Sequence, residues 1–143
     1  MLACATTGSE QSDVAVPADT KSCVMLVEVR VNGSRPLWFI LDSGSTQMLI
    51  DIAVARDLDL NLETSATLQG VGGTANAARV VDPLSVVLKD HAVNGLKFYA
   101  VDLTDASRSL GRHVDGILGC EFFERFTVVM AFARSEVFLR PRY

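Results

Sequence analysis

Histidine is scarce in this 143-residue chain. His91 and His113 are the only two, and they stand far apart without the spacing of metal ligands. Neither has a serine or cysteine nucleophile motif nearby, so a histidine-based triad is not expected. Cys4, Cys23 and Cys120 are odd in number and form no CxxC pair, which excludes a complete disulfide framework. Positive charge is also in deficit, with 13 Lys and Arg against 17 Asp and Glu. With a net charge of −4 and no basic patch, nucleic acid is not an expected partner. No apolar run approaches the length of a membrane span. No metal or cofactor is called for. What remains, 49% apolar and 21% charged residues, is the composition of one soluble globular domain.

Chemistry concentrates in one stretch, Phe39-Ile40-Leu41-Asp42-Ser43-Gly44-Ser45. An apolar run ended by turn residues reads as a strand buried on both faces. Asp42 is then expected where a buried strand breaks into a loop, and a carboxylate there must be paired, hydrogen-bonded or protonated. Ser43 and Ser45 offer hydroxyls, and Gly44 permits a tight turn that aims its amide at the acid. Asp-Ser-Gly is also a common connecting turn, so the triplet gains weight only from its context.

Along the chain, Met1 to about Thr20 reads as a flexible lead-in or tether, and residues 21–143 as the folded domain. Val27, Val29 and Val31 alternate with Glu28 and Arg30 as a half-buried strand, and Asn32-Gly33 signals a hairpin. Gln47 to Ile50 reads as a strand, and Asp51 as the cap of a short helix from Ile52 to about Leu58. Thr67 to Gln69 and Ala77 to Val81 flank Gly70-Val71-Gly72-Gly73, a hairpin with a mobile tip. A phosphate loop is excluded there, because neither Gly-Lys-Ser/Thr nor GxGxxG is present. Pro83 introduces a strand from Leu84 to Leu88, and Asn94-Gly95 marks a second hairpin. Thr104 to Arg112 reads as a polar loop. Asp115-Gly116-Ile117-Leu118-Gly119 leads into a short helix carrying Phe122, Phe123 and Phe126, with Cys120 a small buried apolar residue. Two terminal strands follow. The expected fold is mostly β, a small closed or folded-over barrel with one or two short helices and the glycine-tipped hairpin.

In this order the motifs resemble the retropepsin-like aspartic peptidases, over about Cys23 to Arg140 and in the style of bacterial single-domain members. Leu41-Asp42-Ser43-Gly44-Ser45 is similar to the family's catalytic Asp-Thr/Ser-Gly-Ala/Ser. Gly70-Val71-Gly72-Gly73 is similar to the glycine-rich tip of the family's β-hairpin flap, which the resemblance therefore implies here, although this hairpin has no obvious tyrosine. Ile117-Leu118-Gly119 is similar to the hydrophobic-hydrophobic-Gly signature of the second half. Ser43 stands where retroviral enzymes carry threonine, and keeps a hydroxyl.

The resemblance implies a hydrolase that cuts extended polypeptides with two aspartates sharing one proton. This chain has one Asp-Ser-Gly. Asp115, followed directly by Gly116, is by resemblance a structural position of the second half. The second carboxylate is therefore expected from Asp42 of another copy, in a symmetric homodimer. The alternative is a catalytically silent dimerisation or peptide-binding module. Leu2-Ala3-Cys4 and the small polar residues after it also resemble the end of a bacterial lipoprotein signal, without the regions that precede such a box. Two readings stay open. Either Cys4 carries a lipid anchor in the periplasm or envelope, or the match is accidental and the cytoplasm is the expected place.

Overall fold

Short alternating segments and frequent turn residues produce a mostly β chain in the computed structural model, which describes residues 13–70 and 73–142. The elements are β1 (Val14–Asp19), β2 (Leu26–Val31), β3 (Leu37–Leu41), β4 (Met48–Asp51), α1 (Ile52–Asp57), β5 (Leu62–Gly70) and β6 (Gly73–Val80). There follow β7 (Leu84–Leu88), β8 (His91–Leu96), β9 (Phe98–Val101), α2 (Thr104–Leu110), β10 (Gly116–Leu118), α3 (Cys120–Arg125) and β11 (Phe126–Ala131). A 3-10 turn, Phe132–Arg134, then leads into β12 (Glu136–Pro141).

The alternation expected around Val27 is present in β2, where Val27, Val29 and Val31 are buried and Glu28 and Arg30 are exposed. Asn32 (φ 49°) and Gly33 (φ 74°) take the two left-handed positions of the tight turn that returns the chain into β3. Leu37, Phe39 and Leu41 enter the main core, where the rings of Phe39 and Phe98 meet edge-on at 6.2 Å. The other face of β3 differs from the fully buried strand expected. Trp38 and Ile40 are half-buried, beside a second cluster of Leu26, Ala77, Val101, Leu103 and Val114. The Arg112 guanidinium lies 4.6 Å over the Trp38 ring and pairs with Asp19 of β1.

The strands hydrogen-bond in the order β11-β12-β1-β2-β3-β10-β4-β9-β6-β5, with β7 branching from β2 and carrying β8. β10 lies between β3 and β4, parallel to the first and antiparallel to the second. The expected closed barrel does not form. Closure would need the two ends of this path to meet, but β5 pairs only with β6 and β11 only with β12 among the described residues.

Other expectations are corrected locally. Val14–Asp19, read as part of a flexible lead-in, is a strand paired with β12 and, at Ala18 and Asp19, with β2. Residues 1–12, Cys4 among them, lie outside the described residues. The segment read as a polar loop contains α2, ended by Gly111 in the left-handed region (φ 65°). The turn between β7 and β8 is Lys89-Asp90, with Leu88 facing His91. Asn94-Gly95 is instead a bulge inside β8, and Gly95 (φ 74°) takes the left-handed position. Cys120 is exposed rather than buried. Asp51 precedes α1 but makes no side-chain cap; its buried carboxylate accepts the Leu103 N–H at 2.9 Å, just before α2. No helix among the described residues is long and apolar enough to cross a membrane.

Candidate active site

Asp42 follows β3 directly, and its N–H bonds the carbonyl of Leu118 at the end of the neighbouring β10 (3.1 Å). Both strands thus end side by side. The loop after Asp42 closes through the Ser45 N–H on the Asp42 carbonyl (3.1 Å), and the Gly44 N–H donates to Asp42 Oδ1 at 2.9 Å. The amide expected to aim at the acid therefore does so. The hydroxyls behave differently from expectation. Ser45 Oγ donates to the Gln47 carbonyl (2.8 Å), and Ser43 makes no side-chain hydrogen bond among the described residues. Asp42, Ser43 and Gly44 are exposed in the single chain, so Asp42 is not the buried acid that its apolar approach suggested. Residues two apart on a strand share a face, which puts Asp42 on the side of Trp38 and Ile40, away from the core residue Leu41.

The second-half motif holds this loop in place. The Cys120 N–H bonds the Ser45 carbonyl (2.8 Å), and the Gly119 N–H meets Met48 Sδ (3.1 Å). A Cβ on Gly119 would lie 2.3 Å from the Gln47 carbonyl oxygen and 2.6 Å from that of Ser45. One on Gly116 would lie 2.4 Å from the Phe39 ring and 2.6 Å from the Leu49 carbonyl oxygen. Both positions need glycine for space. Leu118 is buried in the core, while Ile117 is half-buried on the same face as Ile40.

Asp115 is only 2% exposed, and its Oδ2 accepts the Trp38 N–H at 2.8 Å. Its backbone also bonds the Trp38 carbonyl and the Asp51 N–H. His113 Nε2 lies 2.8 Å from the other carboxylate oxygen, but off the line that a hydrogen bond needs. A buried carboxylate with these partners ties β3 to the approach of β10, which is a structural task. It is not presented beside Asp42.

Gly70 and Gly73 face each other at the ends of β5 and β6, so the expected hairpin is present. Val71 and Gly72, read as its tip, lie outside the described residues.

A depression of about 460 Å³ beside Asp42 was missed in the sequence. Ala106, Ser109 and Leu110 of α2 line it together with Asp42, Val24, Ile40 and Phe132. Signals for this helix were present in Asp102 and Gly111, which flank it as start and stop residues. Asp102 Oδ1 accepts the Thr104 N–H at 2.9 Å, and the Thr104 hydroxyl and amide together hold the Asp102 carboxyl below the usual carboxylate range.

Comparison with solved structures places this architecture among retropepsin-like folds. A retropepsin-like aspartic protease from Rickettsia conorii superposes with a TM-score of 0.63 at 19% identity, over 90% of this chain and 89% of that one. The EIAV protease in complex with an inhibitor gives 0.52 at 19% identity, covering 69% of this chain and 84% of that one. The retroviral protease-like domain of Ddi1 from Leishmania major gives 0.52 at 14% identity, covering 82% and 94%. No curated protein is matched by the sequence. The sequence profile of the family described as aspartyl protease matches residues 27–122, from β2 through the Asp42 loop to α3. By that match, over more than half of its length, the chain belongs to the aspartyl protease family.

Proposed function

We propose that this protein is an aspartic endopeptidase in which Asp42 residues of two copies form the acid/base pair. The observation that supports this best is the placement of Asp42. It stands exposed at a strand end whose backbone is fixed by β10, with one carboxylate oxygen on the Gly44 amide. Exposure is costly for no one in the single chain, and it leaves the group free to meet another carboxylate across a two-fold axis.

Two carboxylates in contact cannot both ionise, so the pair holds one proton between them. The ionised Asp42 takes a proton from a water lying between the two acids as that water's oxygen attacks the scissile carbonyl carbon. The protonated Asp42 gives its proton to the carbonyl oxygen. The Asp42 that took the water's proton then delivers it to the leaving nitrogen, the other Asp42 takes back a hydroxyl proton of the tetrahedral diol, and the C–N bond breaks, leaving the pair with one proton again. Gly44 holds each carboxylate in orientation, and Ser43 and Ser45 complete the loop. The β5–β6 hairpin, which ends at Gly70 and Gly73 among the described residues, closes over an extended peptide and excludes water.

The test is cleavage of a diverse peptide mixture by the wild type and by Asp42→Asn from about pH 4 to pH 7, the range that brackets a shared proton. Cuts made by the wild type alone are expected, with specific activity falling on dilution below the dimer dissociation constant. Full activity in a monomer refutes the paired mechanism. A stable dimer that cuts nothing points to a peptide-binding module instead.

A further inference from the structure

Asp115 keeps one oxygen unserved in the interior. Oδ2 accepts the Trp38 N–H, but Oδ1 is buried without a hydrogen-bond partner among the described residues. The atom facing it is His113 Nε2, 2.8 Å away. A bare imidazole nitrogen would turn its own lone pair on the carboxylate. A charged imidazole attracts the carboxylate instead, and attraction between charges needs no hydrogen-bond alignment. The His113 side chain is 69% exposed, so the ring keeps water on its outer side when it takes up a proton.

The neighbours of His113 are fixed. The Arg112 N–H donates to the Ser107 carbonyl, and its guanidinium lies over Trp38 and pairs with Asp19 of β1. Val114 is buried, with its N–H on Ser107 Oγ. Asp51, at the end of β4, gives its N–H to the Asp115 carbonyl (2.7 Å), while its own carboxylate accepts the Leu103 N–H. Arg112 and Asp19 thus satisfy each other, and Asp115 is left to answer a charge on His113.

Asp115 is joined to Asp42 through two strands. Its N–H and carboxylate hold both backbone groups of Trp38, four residues before Asp42 on β3. β10 starts at the next residue, Gly116, and ends at Leu118, whose carbonyl holds the Asp42 N–H. Trp38 and Asp42 lie about 13 Å apart along a strand. That exceeds the screening length of about 8 Å at physiological salt, so a charge on His113 acts on Asp42 through the backbone rather than by its field.

We propose that His113 is a positioning residue whose hold depends on pH: its charged ring closes on Asp115 Oδ1 and tightens the junction of β3 and β10 that presents Asp42. Imidazoles change charge between about pH 5 and pH 8. The hold is present at the acid end of that window and is lost as pH rises and the proton leaves. Its bearing on catalysis rests on Asp42 being the hydrolytic acid; the hold itself does not.

The experiment compares the wild type, His113→Gln and Asp115→Asn at pH 5.5 and pH 8, with the urea midpoint read by circular dichroism. The wild type is expected to lose about 0.3 M more than His113→Gln between the two values, a comparison from which His91 cancels. Asp115→Asn keeps an oxygen for the Trp38 N–H but removes the charge, and should lose no more than His113→Gln. By NMR the Trp38 amide should titrate with the His113 ring in the wild type and stay flat in His113→Gln. Hydrogen-exchange protection at Asp42, corrected for intrinsic exchange, should fall with the same midpoint. Equal losses in wild type and His113→Gln, or a Trp38 amide that ignores the ring, overturn the hold. Unchanged protection at Asp42 overturns its reach to the acid. If peptides are cut, the wild-type to His113→Gln ratio of kcat/KM should rise about two- to fivefold from pH 7 to pH 5, and a constant ratio refutes the positioning role. The titration and midpoint differences without cleavage by any variant uphold the hold and refute the hydrolytic role of Asp42.

Discussion

Replacing Gly119 by alanine should damage this protein more than any other single added methyl near the Asp42 loop. Gly119 has φ −103° and ψ −152°, a backbone conformation open to any residue, so conformational strain does not enter. The cost is entirely one of space. The new Cβ would sit 2.3 Å from the Gln47 carbonyl oxygen and 2.6 Å from that of Ser45. Carbon and oxygen normally approach to about 3.3 Å, so something must move by roughly 1 Å. The atoms in the way are backbone, which cannot rotate aside. Overpacking alone costs about 1–3 kcal/mol, and this site belongs at the upper end. Displacing the two carbonyls also weakens the Cys120 N–H bond to Ser45 and the Ser45 hydroxyl bond to Gln47. With about 1 kcal/mol for each bond at most, the expected loss is about 4 kcal/mol.

Trp38, the sole tryptophan, reports unfolding because it is half-buried under Arg112. With a denaturant slope of about 2 kcal/mol per molar, the urea midpoint should fall by about 2 M. Gly33→Ala is the control. Nothing lies within 4 Å of its added Cβ, but its φ of 74° is left-handed, so it should cost only about 1–2 kcal/mol of strain. If Gly119→Ala loses less than Gly33→Ala, the close approach of Gly119 to the loop is not what demands glycine there.

Three further outcomes are expected. Asp51→Ala should cost about 1–3 kcal/mol in the urea midpoint and speed hydrogen exchange at Leu103, because that N–H is left buried without an acceptor; Asp51→Asn should restore most of the loss. Gly44→Ala places its Cβ 3.2 Å from Asp42 Oδ1, so the carboxylate must shift by a few tenths of an ångström. Cleavage should fall about tenfold with the urea midpoint nearly unchanged, and equal activity would show that the acid tolerates displacement. Asp102 is held below the ordinary carboxylate value of about 3.9 by the Thr104 hydroxyl and amide. Its contribution to the start of α2 is therefore present above that value and lost as pH falls through the lower folded one. NMR titration of Thr104 should show a midpoint below about 3.9, and a midpoint at or above it refutes the anchoring.

Where a single short-range interaction decides the structure, the sequence was legible. The alternation of Val27, Val29 and Val31 became β2, and Asn32-Gly33 supplied the two left-handed positions of its turn. The Gly44 amide reaches Asp42 two residues away, within the span of one turn. Failures arose where a distant partner competes with the local signal. Asp51 stands where a helix cap belongs, yet it serves Leu103, 52 residues later. Asn94-Gly95 carries the strongest hairpin dipeptide in that region, but Lys89-Asp90 makes the turn and Gly95 is spent on a bulge. Val14–Asp19 lies in a stretch of small and polar residues with little periodicity, and it becomes a strand through distant partners, β12 and β2; Pro17 is tolerated where β1 pairs with β12 alone, before β2 takes over at Ala18. Closure could not be read at all, because it depends on whether β5 and β11 meet across the whole chain.

The same division separates the proposed chemistry from what surrounds it. Seven residues around Asp42 and the glycines on either side of Leu118, Gly116 and Gly119, describe the loop, since spacing and missing side chains are written directly in the chain. The helix that faces Asp42 across the depression is another matter. α2 buries no residue fully and carries a single apolar pair, Ala106 and Leu110, too little to mark an amphipathic helix in the sequence. Its position depends on Asp51, Ser22 and Val114, none of which is near Asp42 in sequence. An acid can thus be recognised from a short motif while the helix set across from it cannot.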